Sequence, residues 1–244
     1  MPCKARGVEN TTMDAWIDFA KGPLFAITFL VMILGLGRQV VLQFYFLSVK
    51  KGRRLQGVAW TKIARETVSW VIPVRHMEPG NGLFTASSFL MHIGVLLVPL
   101  FLLDHIVLWE GFLGLNLPAI SSGVADVLVL LTLACGVLLL ALRTFRARHR
   151  MVSRPSDYVL LILLILPFLS GYLASHPAVN PFPWNAMMLT HLLSAEMLFV
   201  VVPFTKLAHV VLFFFDRISA VHWQLRPGAG DKIAEALYGE EVKI

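Results

Sequence analysis

The sequence predicts an all-α integral membrane bundle of five transmembrane helices, N-terminus outside and C-terminus cytoplasmic, and three observations carry that expectation. First, the 244 residues are 57% hydrophobic and 15% charged, with a mean hydropathy of +0.72, whereas soluble domains are about 25% charged. Second, five apolar stretches are each long enough to cross a hydrocarbon core of about 30 Å as a helix. Third, segments rich in Lys and Arg alternate with segments that hold neither, which is the pattern that orients a multi-span chain. The net charge of +6 therefore reads as orientation signal rather than a nucleic-acid footprint.

Residues 1–22 form a polar N-terminal segment with a short interfacial helix around Trp16 and Phe19. No charged, apolar and small-residue order of a signal peptide is present, so the first apolar stretch, 23–49, stays as a span. It carries one charge, Arg38, and exits at Lys50, Lys51, Arg53 and Arg54. Segment 55–82 mixes Lys62, Arg65 and Arg75 with Trp60, Ile63, Val68 and Trp70, and reads as a partly helical amphipathic stretch on the cytoplasmic interface. The second span, 83–109, holds His92, Pro99, Asp104 and His105, and the turn 110–118 after it has no Lys or Arg. The third, 120–142, ends in Arg143, Arg146, Arg148, His149, Arg150 and Arg154. The fourth, 157–175, leads into a link with His176, Pro177, Pro181 and Pro183. The fifth, 187–215, reads as one apolar helix bearing His191 and His209, and residues 217–244 form a cytoplasmic tail. Residues 23–216 thus make one membrane domain, with no internal repeat and no β-barrel alternation. The two cysteines, Cys3 and Cys135, build neither a C-x-x-C-H attachment site nor a thiolate cage.

Histidines inside the spans carry the chemistry. His191 and His209 are eighteen residues apart, which on a straight helix is five whole turns, so they face one way roughly 27 Å apart. With the second span running outward and the fifth inward, His92 and His209 come to similar depths on the cytoplasmic side, and His105 and His191 near the outer surface. Two pairs of neutral imidazoles at two depths suit the axial ligands of two haems, since polar groups in hydrocarbon are costly. The outer pair has a difficulty. His105 lies thirteen residues after His92, rotated about 140° from it on a straight helix. His76, His149, His176 and His222 fall outside the spans, where solvated or interfacial histidine is the default.

The ending Pro203-Phe204-Thr205-Lys206-Leu207-Ala208-His209, eighteen residues' spacing to His191, and Met91-His92-Ile93-Gly94 on the second span together resemble the gamma subunit of respiratory nitrate reductases. The resemblance covers about residues 83–215. It implies a five-span dihaem cytochrome b in which His92 and His209 bind the cytoplasmic-side haem and His191 supplies one ligand of the outer haem. The family's fourth ligand falls on Leu102 here, so either His105 substitutes one turn later or the outer haem has another ligand or is missing. The longer segment 55–82 and Ser170-Gly171-Tyr172-Leu173 look more like related cytochromes of sulfur metabolism, near dissimilatory sulfite reductase or heterodisulfide-reductase-like subunits.

Arg38 and Lys206 either pair with haem propionates or snorkel to the interface. Glu196 lies too deep to snorkel, and is expected to be protonated or paired. Asp104, Glu110 and Glu196 are the candidate catalytic groups for quinol and proton handling; Asp126 can accept protons there, or act with Asp157 at a helix N-terminus. The expected function is a membrane cytochrome b subunit of the bacterial or archaeal cytoplasmic membrane. It would exchange electrons between quinone, such as menaquinone, near the outer face and a cytoplasmic iron–sulfur partner through two b haems. The alternatives are a single-haem anchor and relay on His92 and His209, and a haem-free anchor or transporter whose histidines relay protons.

Overall fold

The computed structural model describes residues 12–46, 60–71 and 80–221, and every regular element among them is helical. Five helices are long and apolar enough to cross a membrane. We number the elements α1 (Thr12–Tyr45), α2 (Trp60–Val71), α3 (Gly82–Phe101), α4 (Leu103–Leu113), α5 (Ser122–Phe145), α6 (Ala147–Val152), α7 (Pro155–Ser175), α8 (Trp184–Val201) and α9 (His209–Val221). Side chains such as Leu34, Val41, Val107, Val127 and Val159 are exposed, as lipid-facing positions of a membrane helix must be. The expected cytoplasmic basic residues Lys50, Lys51, Arg53, Arg54 and Arg75, the histidines His76 and His222, and the tail beyond 221 lie outside the described residues.

The chain forms two compact units, Met1–Leu30 with Met77–Val200, and Val31–His76 with Val201–Ile244. In the first, α5 packs against both α3 and α7. Gly94 sits directly against the fully buried Thr132, so the two backbones approach closely where a Cβ would collide with the threonine hydroxyl. Gly136 does the same for Ile165. Met91, Cys135, Leu139 and Leu161 form one apolar cluster, and Val98, Val129 and Phe168 another. The early part of α1 joins through rings, Phe25 lying 4.8 Å from Phe112 and 5.8 Å from both Trp109 and Phe199.

In the second unit, Gly35 accommodates Pro203, whose carbonyl accepts a bond from Gln39 Nε2 at 3.2 Å. Phe44 and Phe215 meet edge to face at 5.0 Å. The amphipathic stretch expected within 55–82 is present as α2, which lies beside α9.

Three spans differ from expectation, each for a backbone reason. Helix is already present at Thr12, upstream of the span expected from residue 23, because a π turn at Ala20–Leu24 absorbs Pro23, which has no N–H to give. The second span is two helices: Leu102 is extended (φ −69°, ψ 133°) between α3 and α4. The fifth span is also broken. After α8 come short 3-10 turns at Val202–Phe204 and Lys206–Ala208, with Thr205 extended between them (φ −128°, ψ −175°). Pro203 removes a donor and crowds the preceding turn. The Thr205 hydroxyl then donates to Val201 O at 3.0 Å and accepts from Leu207 N–H at 3.3 Å, bridging the break. The straight five-turn relation between His191 and His209 therefore does not hold.

Candidate functional site

The break at Leu102 builds one side of the site. A helix end leaves carbonyls without partners inside the helix, and side-chain and loop donors reach three carbonyls here, of which Val98 O also accepts from Leu102 N–H at 3.1 Å. His105 Nδ1 bonds Val98 O at 3.2 Å, Trp109 Nε1 bonds Pro99 O at 2.9 Å, and Ile120 N bonds Phe101 O at 2.9 Å. The extended residue resets the helical phase, so the straight-helix rotation between His92 and His105 does not apply.

On the other side, His191 on α8 lies against α7. Its Nδ1 bonds Pro167 O at 2.8 Å. Gly171, one turn after Pro167, faces the ring so closely that a Cβ there would stand 2.8 Å from His191 Nδ1 and 2.9 Å from Cε1. Pro167 and Gly171 are a seat for this imidazole that the sequence reading did not single out. The available signal was their four-residue spacing, which places a carbonyl and a bare backbone on one face of an apolar helix.

His105 and His191 meet. Their ring centroids are 6.0 Å apart and their planes differ by 4°. Because a carbonyl oxygen only accepts, each Nδ1 must carry the hydrogen, which leaves Nε2 as the ring nitrogen with a lone pair. Two imidazoles sharing one metal ion through bonds of about 2 Å, each nitrogen about 1.1 Å from its centroid, have centroids roughly 6 Å apart. The pair matches that spacing. A backbone carbonyl on the other ring nitrogen is also the usual partner that orients a ligating histidine. Among the described residues, no group of three or more His, Cys, Asp or Glu could hold a metal ion by itself. The two Nε2 atoms could hold a cofactor that brings further ligands of its own.

His92 Nδ1 donates to Ser88 O at 2.6 Å in the first unit, and His209 Nδ1 donates to Lys206 O at 2.8 Å in the second. Arg38 and Lys206 are exposed in the second unit. Glu196 is buried at 4% exposure, and neither carboxylate oxygen has a hydrogen-bond partner among the described residues. Asp104 and Glu110 are exposed on α4. Asp126 lies 3.4 Å from His176 Nε2 rather than at a cap, whereas Asp157 does cap, accepting from Arg154 N–H at 2.9 Å.

His149 departs from the expected solvated histidine: it is 6% exposed, with its ring stacked 4.4 Å from Phe84. Burial pushes its pKa below the ordinary value, and the neighbouring guanidiniums of Arg146, Arg143 and Arg148 push it further.

No family model matches the chain. No solved structure matches it. A protein of Nitratidesulfovibrio vulgaris (strain Hildenborough) is 32% identical over 210 residues, covering 82% of this chain and 89% of that protein. At that identity and coverage the two share one family, and the chain belongs to the family of this Nitratidesulfovibrio vulgaris protein.

Proposed function

We propose that the chain is a membrane cytochrome b subunit of a respiratory redox complex. The observation that carries this reading is the parallel His105–His191 pair, with both Nδ1 atoms committed to backbone carbonyls and the centroids 6.0 Å apart. A b haem bound there supplies one-electron redox chemistry. His105 and His191 would hold it, with the Pro167 and Val98 carbonyls fixing the ring orientations and Gly171 leaving the His191 ring its room. For a second haem, the reading rests on the sequence motifs that carry His92 and His209, with Arg38 and Lys206 as propionate partners.

The substrate in this reading is a quinol, such as menaquinol, oxidised near the His105–His191 end, with a cytoplasmic iron–sulfur protein as electron partner. Glu196 supports a proton role there. A carboxyl buried in an apolar helix without a partner is held neutral or waits for a donor that binds later. Proton release on one side with electron transfer to the other stores about 2.3 kcal/mol per charge per 100 mV.

The test is the optical spectrum and haem content of the purified protein. Two b haems per chain, reducible by quinol, are expected. A haem-free protein that binds no added haem sinks the reading and leaves a membrane anchor or a histidine proton relay.

A further inference from the structure

His176 caps the C-terminal end of α7, and Asp126 stands in the second turn of α5. The His176 ring stacks on Tyr172 at 4.1 Å, its Nδ1 bonds Tyr172 O at 2.9 Å, and its Nε2 lies 3.4 Å from Asp126 Oδ2. A carbonyl only accepts, so Nδ1 carries the hydrogen and Nε2 is left with a lone pair. That lone pair points at a carboxylate oxygen. Two acceptors at this distance repel unless a proton lies between them, so the contact is favourable only when the pair holds one proton.

The pair is also placed beside the histidine site. Tyr172 packs against the cluster of Val98, Val129 and Phe168, and Val98 is the residue whose carbonyl orients His105. Gly171, the neighbour of Tyr172, seats His191. His176 follows Gly171 by five residues, about 7.5 Å along the helix axis. The side chains of His176 and Asp126 are 31% and 41% exposed, so neither is sealed inside the bundle. The acids on α4, Asp104 and Glu110, are exposed; the group that contacts place against His176 on α5 is Asp126, and on its own helix Tyr172.

We propose that His176 and Asp126 form a proton-release dyad, taking protons from quinol oxidation at the His105–His191 end and passing them to bulk water. This rests on the function proposed above. Oxidising one quinol to quinone breaks two O–H bonds and releases two protons and two electrons. The electrons go singly to ferric b haem as the oxidant, reducing two haem equivalents. The dyad takes the protons in turn, passing from neutral imidazole with carboxylate, net −1, to the singly protonated pair, net 0, and back as each proton leaves for water.

The experiment measures haem content and the rate of haem reduction by menadiol in detergent-purified full-length protein from pH 5 to 9, for wild type, Asp126→Asn, His176→Gln and Asp126→Glu. The wild-type rate is expected to rise with pH, as for any reaction that needs a base. Asp126→Asn and His176→Gln should keep their haem, lose at least tenfold in rate, and lose that rise, since a positioned base contributes on the order of 100-fold or more. Asp126→Glu should restore most of the rate. Unchanged rates and pH profiles in both disabling variants overturn the dyad alone. Loss of haem from both of them also overturns it, by showing a purely structural tie between α5 and α7. A wild-type protein that holds no haem overturns the proposed function along with the dyad.

Discussion

Replacing Gly171 with Ala isolates the seat of His191. The added Cβ would lie 2.8 Å from Nδ1 and 2.9 Å from Cε1, where ordinary contact begins at 3.4 Å, so the ring must retreat by 3.4 − 2.8, about 0.6 Å. Metal–ligand distances tolerate only about 0.2 Å. The ring cannot simply slide, because its Nδ1 is tied to Pro167 O at 2.8 Å. Losing an orienting contact of this kind typically weakens metal binding by about 10- to 100-fold. Helix propensity pulls the other way, since Ala stabilises a helix interior by up to about 1 kcal/mol over Gly. The expected variant therefore folds at least as well as wild type but binds one haem more weakly. Haem titration followed by absorbance, alongside thermal melting of the apo form, checks both halves. Full haem occupancy with unchanged spectra would refute the packing argument.

Two further substitutions probe other parts of the chain. Thr205→Val removes the hydroxyl that joins Val201 O and Leu207 N–H across the break; with two bonds of roughly 1 kcal/mol each, a loss of about 1–2 kcal/mol is expected in detergent unfolding, and no loss would mean the break is held by Pro203 alone. His149 gives a pH dependence whose sign is fixed. Its native pKa is lowered by burial and by Arg146, Arg143 and Arg148, so the unfolded chain binds the proton more readily. Its contribution is present above the unfolded value near 6.5 and is lost as pH falls below it. Melting temperatures should drop between pH 7.5 and 5.5 in wild type and drop less in His149→Phe; equal slopes would remove His149 from the account.

The five spans were legible because hydropathy and charge alternation respond to lipid, not to backbone detail. The amphipathic α2 was legible for a similar reason. What stayed hidden was the two breaks. An apolar run reads the same whether its helix continues or is interrupted, and the extended residues Leu102 and Thr205 lie three and two positions beyond the prolines Pro99 and Pro203. Straight-helix arithmetic consequently made His105 look misaligned and His191 and His209 look coaxial. The structure brings together the rings of His105 and His191, the pair that the sequence had treated as the weaker. His149 was misjudged because a residue between spans was assumed to be wet, while Phe84 covers it. The Pro167–Gly171 seat was invisible as a site because neither residue type carries chemistry of its own.

In the function proposed above, His105 and His191 would hold one haem between them. The most direct test is haem stoichiometry by pyridine haemochrome in wild type, His105→Leu and His191→Leu. Two haems per chain in wild type and one in each variant, with the same component lost from both spectra, is the predicted result. Two haems retained in either variant would contradict it.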